Sequence, residues 1–477
     1  MASRRPPTPA LTRALSECAK AARFDFGEDT SLVTVQHMLA QTVDLMETVC
    51  DLGLPPENIF AAGKVYSNHD LAILKLREMG VTVIDSTMPE PGEFDCYFKR
   101  DVNRLWQLAI QKFEERRIKR VLVLDDGGTC LTSVPPEVLR KYAVCGVEQT
   151  SQGIFLLEER PPPFPVFSWA RSAVKLEIGS GIFSRCFSDK LNTEFLHGQS
   201  LQGAQVGIIG LGSMGKAIAN LALRQNACVL FYDTNPDLHL PRALYHHIDP
   251  LDSLEELMMR CDYVVGCSGS NPFEERWPLN YKPGLKLLSC SGGDQEFAPI
   301  IRDLKTLLGF KIDCHSWDIY SEYGPAGPIH IAYRGFPYTF VSRGIEAVET
   351  PIVQLETGGL LAGLIQARLC LELSETATKG IHRLSIDAQR FLFKKWCLVM
   401  KHEGIDVCRV FGYDPAVLRA AQHESWFTKN TQPHPNGLYE PITELEAMMR
   451  RLLTSRGSVK DDLLEVQRES QTDHGAF

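Results

Sequence analysis

Apolar residues recur along the first third of the chain in two rhythms. The stretch VTVQHMLAQTVDLMETVCDLG carries Leu39, Val43, Met46 and Cys50 at helical spacing, which predicts an amphipathic helix. NIFAAGKVYS, VTVIDS and RVLVLDD are short, continuous apolar runs with helical stretches between them, the signature of strands covered on both faces of a parallel sheet. A proline cluster, ERPPPFP at 159–165, interrupts the pattern, and a helical run is expected from about Ser188 towards Gly203. Beyond it AQVGIIG, CVLFYD, DYVVGCS, KLLSCS and YTFVS restore the strand rhythm and predict a second sheet. LETGGLLAGLIQARLCLEL and IDAQRFLFKKWCLVMKHEG then read as long helices. ITELEAMMRRLLTS reads as an amphipathic helix after the loop-like NTQPHPNG. The expected fold class is therefore α/β, with two doubly wound units.

Length and composition bound the function. At 477 residues the chain is long enough for two to four domains, and 44% hydrophobic with 23% charged residues is ordinary for a folded globular protein. A net charge of −9 with no dense basic stripe argues against nucleic acid as a partner. The start, MASRRPPTPALTRAL, has no apolar core of a leader, and no run reaches about 18 apolar residues, so a cytoplasmic protein with no membrane partner is expected. Fourteen cysteines without a C-x-x-C pair suit a reducing compartment; they read as mostly buried thiols, and no metal site is expected.

One motif carries specific chemistry. VGIIGLGSMGKAIA sets Gly210, Gly212 and Gly215 as G-x-G-x-x-G directly after an apolar strand, with Ser213 and Met214 opening a helix and Asp233 closing the next strand. Gly210 permits a tight turn, Gly212 lets backbone approach a pyrophosphate, and Gly215 lets helix and sheet pack closely. Asp233 should accept from ribose hydroxyls. A carboxylate there repels a 2′-phosphate, so the expected cofactor is NAD rather than NADP; Arg242 is the local arginine that could compensate for a phosphate. Residues 196–352 are accordingly expected to form a Rossmann NAD-binding domain.

Five segments in order carry a wider similarity: HMLAQTVDLMETVCDLG at 37–53, LDDGG at 124–128, GVEQTSQGI at 146–154, SAVKLEIGS at 172–180, and the glycine fingerprint. Together, over about 25–425, they resemble the S-adenosylhomocysteine hydrolases. The resemblance implies a discontinuous substrate domain, 25–195 completed by hinge and return helices at 353–425, with the cofactor domain inserted between. A frayed N-terminal arm over 1–24, where Pro6, Pro7 and Pro9 oppose a helix, and a tail over 426–477 lie outside it. It further implies a nucleoside substrate, a homo-oligomer, a place in one-carbon metabolism, and NAD⁺ used to oxidise a sugar hydroxyl transiently before elimination at the neighbouring position.

Carried over residue by residue, Lys175 would take the hydroxyl proton, His37 and Asp126 would stand near the reacting end, and Gln41 would bond an adenine edge. Gln149 would bond a sugar diol, and Thr150 and Ser151 would lie beside the nicotinamide ribose. Each has a plainer reading: His37 as a satisfied core or surface histidine, Asp126 as a turn or cap residue. The sequence departs from the family where Gln149 replaces a glutamate, Gly179 and Ser180 replace an Asp-Asn pair, and Gly293, Thr350 and Ser342 replace polar site residues. The tail shows no counterpart of the family's Lys and Tyr that reach a neighbouring subunit. Asp294, Glu296 and Glu177 are candidates for a relocated carboxylate, or else ordinary surface and loop acids. Each lost acid or base costs about 10²–10⁴ in rate, so S-adenosylhomocysteine hydrolysis itself is not expected. The expectation is NAD-dependent oxidation of a secondary hydroxyl on a nucleoside or related polyhydroxylated molecule. The alternative is a catalytically inactive NAD-bound homologue serving as sensor or scaffold. A 2-hydroxy-acid-type dehydrogenase is disfavoured, because no Arg, Glu and His arrangement stands in the expected places.

Overall fold

The computed structural model describes residues 9–194, 196, 200–235, 248–273, 280–306, 309–315, 317–340, 350–373, 379–411, 413, 415–421, 423–431 and 442–455. Arg242, Ser342 and most of NTQPHPNG lie outside the described residues.

The first sheet contains β1 (Thr30–Gln36), β2 (Ile59–Gly63), β3 (Thr82–Ile84), β4 (Arg120–Asp125), β5 (Ala143–Glu148) and β6 (Pro165–Ser168). A seventh strand arrives from far along the chain and pairs with β6, so the order is β15-β6-β5-β4-β1-β2-β3, with β15 spanning Gly380–Arg383. All neighbours are parallel. Helices cover both faces, which is why β1 and β2 are buried at every position and read as unbroken apolar runs. The helix Thr350–Cys370 lies against β4, β5 and β6, and also packs on the helices Ala10–Ala21 and Ile386–His402.

The second sheet holds β7 (Gln205–Ile209), β8 (Cys228–Tyr232), β9 (Ile248–Pro250), β10 (Tyr263–Gly266), β11 (Leu285–Ser289), β12 (Phe310–Ile312), β13 (Ile319–Gly324) and β14 (Gly327–Ile331). Its order is β12-β13-β14-β11-β10-β7-β8-β9, parallel except for the antiparallel β12, β13 and β14 edge. One apolar cluster runs from Val33, Val123 and Val166 of the first sheet to Val206, Ile208 and Val265 of the second, so the two sheets share packed side chains.

Four expectations are corrected. The helix expected through residues 33–53 begins at Ala40; Thr30–Gln36 is β1, and His37 sits in the strand-to-helix turn. A strand buried on both faces has no alternation, so its apolar residues merge with the helical spacing that follows. The N-terminal arm is ordered from Ala10: Pro9 caps the helix Ala10–Ala21, whose Leu11, Leu15 and Cys18 are buried. A proline at a helix start costs nothing, because the N–H it lacks would be unpaired there. The described part of YTFVS is not a strand: Tyr338 to Phe340 form a turn beside the isolated bridge of Pro337 to Ser289, and Val341 and Ser342 lie outside the described residues. Of the fourteen cysteines only Cys18, Cys130, Cys145, Cys186, Cys261 and Cys370 are fully buried.

Candidate functional site

The first sheet reverses direction at β1, with β2 and β3 on one side and β4 to β6 and β15 on the other. Loops diverge at such a switch point and leave a crevice at the carboxyl ends of the strands. His37 follows β1, Lys64 follows β2, Asp126 follows β4 and Gln149 follows β5, so four strand ends deliver these side chains to one place. The His37 Nε2 lies 3.2 Å from Asp126 Oδ2, and its Nδ1 lies 2.6 Å from Ser67 Oγ. Lys64 Nζ and Gln149 Nε2 both donate to the Asp126 carboxylate, and Gln36 Nε2 donates to Gln149 Oε1 at 3.0 Å.

The electrostatics follow from burial and pairing. Burial lowers the His37 pKa, overriding the opposing pull of Asp126, so the imidazole is neutral at physiological pH. Burial alone would raise the Asp126 pKa, yet the Lys64 ammonium and His37 hold it far below the usual carboxylate range. Lys64 is pushed up: Asp126 more than reverses the effect of burial on it. Asp125, next in the chain and fully buried, is raised to about 7 by burial. The Glu148 carboxylate accepts from the backbone N–H groups of Gly127, Gly128 and Thr150 and from Thr150 Oγ1, which locks the loops after β4 and β5 together.

Lys175 opens a π-helical turn, Lys175–Gly179, ahead of the helix Ser180–Glu194. Such turns widen a helix locally and recur at functional sites. Its Nζ lies 2.6 Å from Glu356 Oε2 and 4.9 Å from the centre of the Phe183 ring. Trp169 Nε1 donates to the same Glu356 oxygen at 2.7 Å. A Cβ at Gly179 would sit 2.8 Å from Glu356 Oε1 and 3.2 Å from Lys175 Cδ. The residue that replaces an expected Asp is therefore the gap through which a carboxylate from the helix Thr350–Cys370 reaches the lysine.

The second sheet has its own switch point between β7 and β10. Gly210 has φ +87°, and a Cβ on Gly215 would lie 2.0 Å from the Gly210 carbonyl oxygen, so both glycines are obligatory. A Cβ on Gly212 would meet nothing within 4 Å, which leaves open space over the first turn of the helix Ser213–Arg224. Asp233 Oδ2 accepts from Leu211 N at 2.7 Å and Oδ1 from Asn235 N at 2.8 Å, fixing a carboxylate at the end of β8. A tight glycine turn, open space above helix N–H groups and an acid at the next strand end fit a dinucleotide.

Side chains of the two sheet units meet. Phe340 stacks on His37, 4.0 Å between ring centroids, and lies 5.3 Å from Phe183. Gln152 Nε2 donates to Gln295 Oε1, Gln295 Nε2 donates to Asp95, and Asp294 Oδ2 accepts from Gly92 N at 2.8 Å.

Of the residues expected from sequence, His37, Asp126 and Gln149 share one hydrogen-bonded cluster, and Lys175 bears on the same imidazole electrostatically. Gln41 opens the helix Ala40–Asp51 with its buried Oε1 unpartnered. Thr150 caps the helix Ser151–Glu159 and bonds Glu148; Ser151 is exposed at its start. Asp294 and Glu296 are corrected: both are buried, Asp294 against Gly92 and Glu296 beneath Ser268 and Ser289, and Glu177 is exposed. Lys64, Ser67, Glu356 and Phe340 went unnoticed. Glu356 left a signal, as the lone acid in TPIVQLETGGLLAGLIQARLC, an otherwise apolar helix.

Residues 184–274 match the model of the D-isomer specific 2-hydroxyacid dehydrogenase, NAD binding domain. Two uncharacterized proteins of Mycobacterium tuberculosis, from strains CDC 1551 / Oshkosh and ATCC 25618 / H37Rv, are each 28% identical over 336 residues, 70% of this chain and 63% of theirs. The chain thus spans under two thirds of the length of these relatives. A putative D-3-phosphoglycerate dehydrogenase from Ralstonia solanacearum overlays with a TM-score of 0.32 at 12% identity, covering 58% of this chain and 77% of that one. An NAD-complexed D-isomer specific 2-hydroxyacid dehydrogenase from Lactobacillus delbrueckii ssp. bulgaricus overlays at 0.25 and 13%, covering 58% and 76%.

The cofactor is NAD, as the fingerprint required. The match corrects two other expectations. The resemblance to the S-adenosylhomocysteine hydrolases is overturned, because residues 184–274 match the 2-hydroxyacid dehydrogenase NAD-binding domain instead; the nucleoside substrate and the one-carbon role go with it. The 2-hydroxy-acid-type dehydrogenase, disfavoured for want of an Arg, Glu and His arrangement, is the type this segment supports. Among the described residues no helix is long and apolar enough to cross a membrane, and no group of three or more His, Cys, Asp or Glu is placed to hold a metal ion.

Proposed function

We propose that the chain is an NAD-dependent oxidoreductase of the 2-hydroxyacid dehydrogenase type, converting a secondary hydroxyl of a small 2-hydroxy acid to a ketone. The first-sheet unit holds the substrate and the second-sheet unit the cofactor. The observation that carries this reading is the apposition of two carboxyl-edge crevices, one with the glycine turn and one with His37, Asp126, Gln149 and Lys175, closed by Phe340 on His37. Bound NAD⁺ supplies the hydride acceptor. Lys175, at the more open side of its site, is the group that receives the hydroxyl proton. His37 is neutral and held from both ring nitrogens, by Ser67 and Asp126, which suits it to position the Asp126 carboxylate rather than to carry charge. Gln149, bonded to Asp126 and Gln36, is a fixed amide beside it.

The experiment is turnover of a panel of small 2-hydroxy acids with NAD⁺, followed at the reduced-nicotinamide absorbance band. Lys175→Gln should lower kcat by about 10²–10⁴; a variant as fast as the parent overturns the assignment. A second reading, an NAD-bound protein without turnover that senses or scaffolds, is favoured by one observation: Phe340 covers a face of the imidazole. NAD⁺ binding with no reduction by any member of the panel would establish it.

A further inference from the structure

We propose that Glu356 is the proton-accepting partner of Lys175, so that the two work as a relay and neither serves alone. The inference rests on the oxidoreductase reading above.

A lysine held 2.6 Å from a carboxylate is an ammonium, and an ammonium has no lone pair with which to take a proton. It becomes a base only by giving up one of its own protons. Glu356 Oε2 is the acceptor in place, and Trp169 Nε1 fixes that oxygen from the other side at 2.7 Å. The burial is graded in the direction a relay requires: the Lys175 side chain is 23% exposed and that of Glu356 is 11% exposed. Substrate therefore meets the amine, and the carboxylate lies behind it. Glu356 Oε1 is buried with no hydrogen-bond partner, so the carboxylate charge is incompletely solvated, and a proton arriving at Oε2 removes that charge. Gly179 keeps the approach open.

The proton balance closes. The substrate hydroxyl proton passes to Lys175 Nζ while one Nζ proton passes to Glu356 Oε2, the C–H bond at the carbinol carbon breaks with its electron pair moving as hydride to NAD⁺, and the C=O bond forms. Lys175 ends as it began, an ammonium beside the new carbonyl oxygen, and Glu356 ends as the neutral acid. Glu356 acts through Lys175 without touching substrate, which makes it a positioning residue.

The test is Glu356→Gln, which preserves shape and an acceptor for Trp169 but cannot take a proton. With NAD⁺ and the best 2-hydroxy acid, kcat should fall about 10²-fold or more with NAD⁺ affinity unchanged, and Glu356→Asp should recover part of it. Independently of turnover, acetylation of Lys175 by an amine-selective ester, read by peptide mass, should quicken in Glu356→Gln because the ammonium loses its counter-charge. The double variant with Lys175→Gln should be no slower than Lys175→Gln alone. A Glu356→Gln protein within about threefold of the parent kcat, or unchanged acetylation, overturns the relay while leaving the oxidoreductase reading intact. A parent protein that never reduces NAD⁺ overturns both.

Discussion

The imidazole of His37 and the ring of Phe340 lie face to face, 4.0 Å between centroids and 8° between planes. His37 follows β1 of the first sheet, and Phe340 ends the described turn after the last strand of the second, so this contact joins the two sheet units. Replacing Phe340 by Ala should lower the unfolding free energy by about 1–3 kcal/mol, as expected for a partly buried aromatic contact. KM should rise more than kcat falls, since closure rather than chemistry is impaired. Urea unfolding and steady-state kinetics check both halves; unchanged KM would detach Phe340 from the site.

The glycine turn separates stability from binding. Gly212→Ala places a methyl group in open space, so thermal stability should hold while NAD⁺ affinity drops about tenfold or more, because the pyrophosphate needs that space. Gly215→Ala should lose both, since its Cβ would meet the Gly210 carbonyl at 2.0 Å. Calorimetric titration with NAD⁺ beside thermal melts distinguishes the two.

The Lys64 and Asp126 pair is buried, and its two halves are not independent. Lys64→Met strands a carboxylate and should cost about 3–5 kcal/mol, whereas Lys64→Met combined with Asp126→Asn should recover most of it. In Asp126→Asn the His37 pKa should fall further, because Asp126 is the group that opposes burial there; the imidazole proton signals followed against pH measure it.

How much of this was legible in the sequence depended on how local the cause was. The glycine fingerprint and Asp233 depend on one strand, one turn and one helix, and their chemistry was readable with the cofactor attached. RVLVLD read as a buried strand and became β4. His37 was found but set on a helix, because the apolar positions from Leu32 to Met46 satisfy either period when a strand is buried on both faces. The Lys175 and Glu356 pair spans 181 residues and exists only because the helix Thr350–Cys370 returns to the first sheet, which no local pattern announces. The hydrolase resemblance failed for a related reason: short matching segments fix loops at strand ends, and loops of that kind recur at any switch point of a doubly wound sheet.

Asp294 should make the stability of the fold depend on pH. Burial raises its pKa to about 7, Gly92 N opposes the shift and Asp95 adds to it; Arg302 lies near Gly92, and Arg334 and Glu90 are the other charges that bear on this interface. A carboxyl group whose pKa is higher in the folded state than its ordinary value of 3.8 stabilises the fold when protonated. Its contribution is full below about 4 and is lost as pH rises towards 7. Asp294→Asn keeps an acceptor for Gly92 but no charge, so it should melt with the parent near pH 4 and above it by a few kcal/mol near pH 8. Parallel melting curves at all pH values would count against the role of Asp294.

The central claim is that a hydride leaves the carbinol carbon of a substrate held by the first sheet for a nicotinamide held by the second. The most direct measurement supplies the best 2-hydroxy acid carrying deuterium at that carbon, together with NAD⁺, and weighs the recovered reduced cofactor. Deuterium in the nicotinamide ring, in step with ketone formed, is the expected result. Ketone formed without label in the cofactor, or no reduced cofactor from any hydroxy acid, would contradict the account.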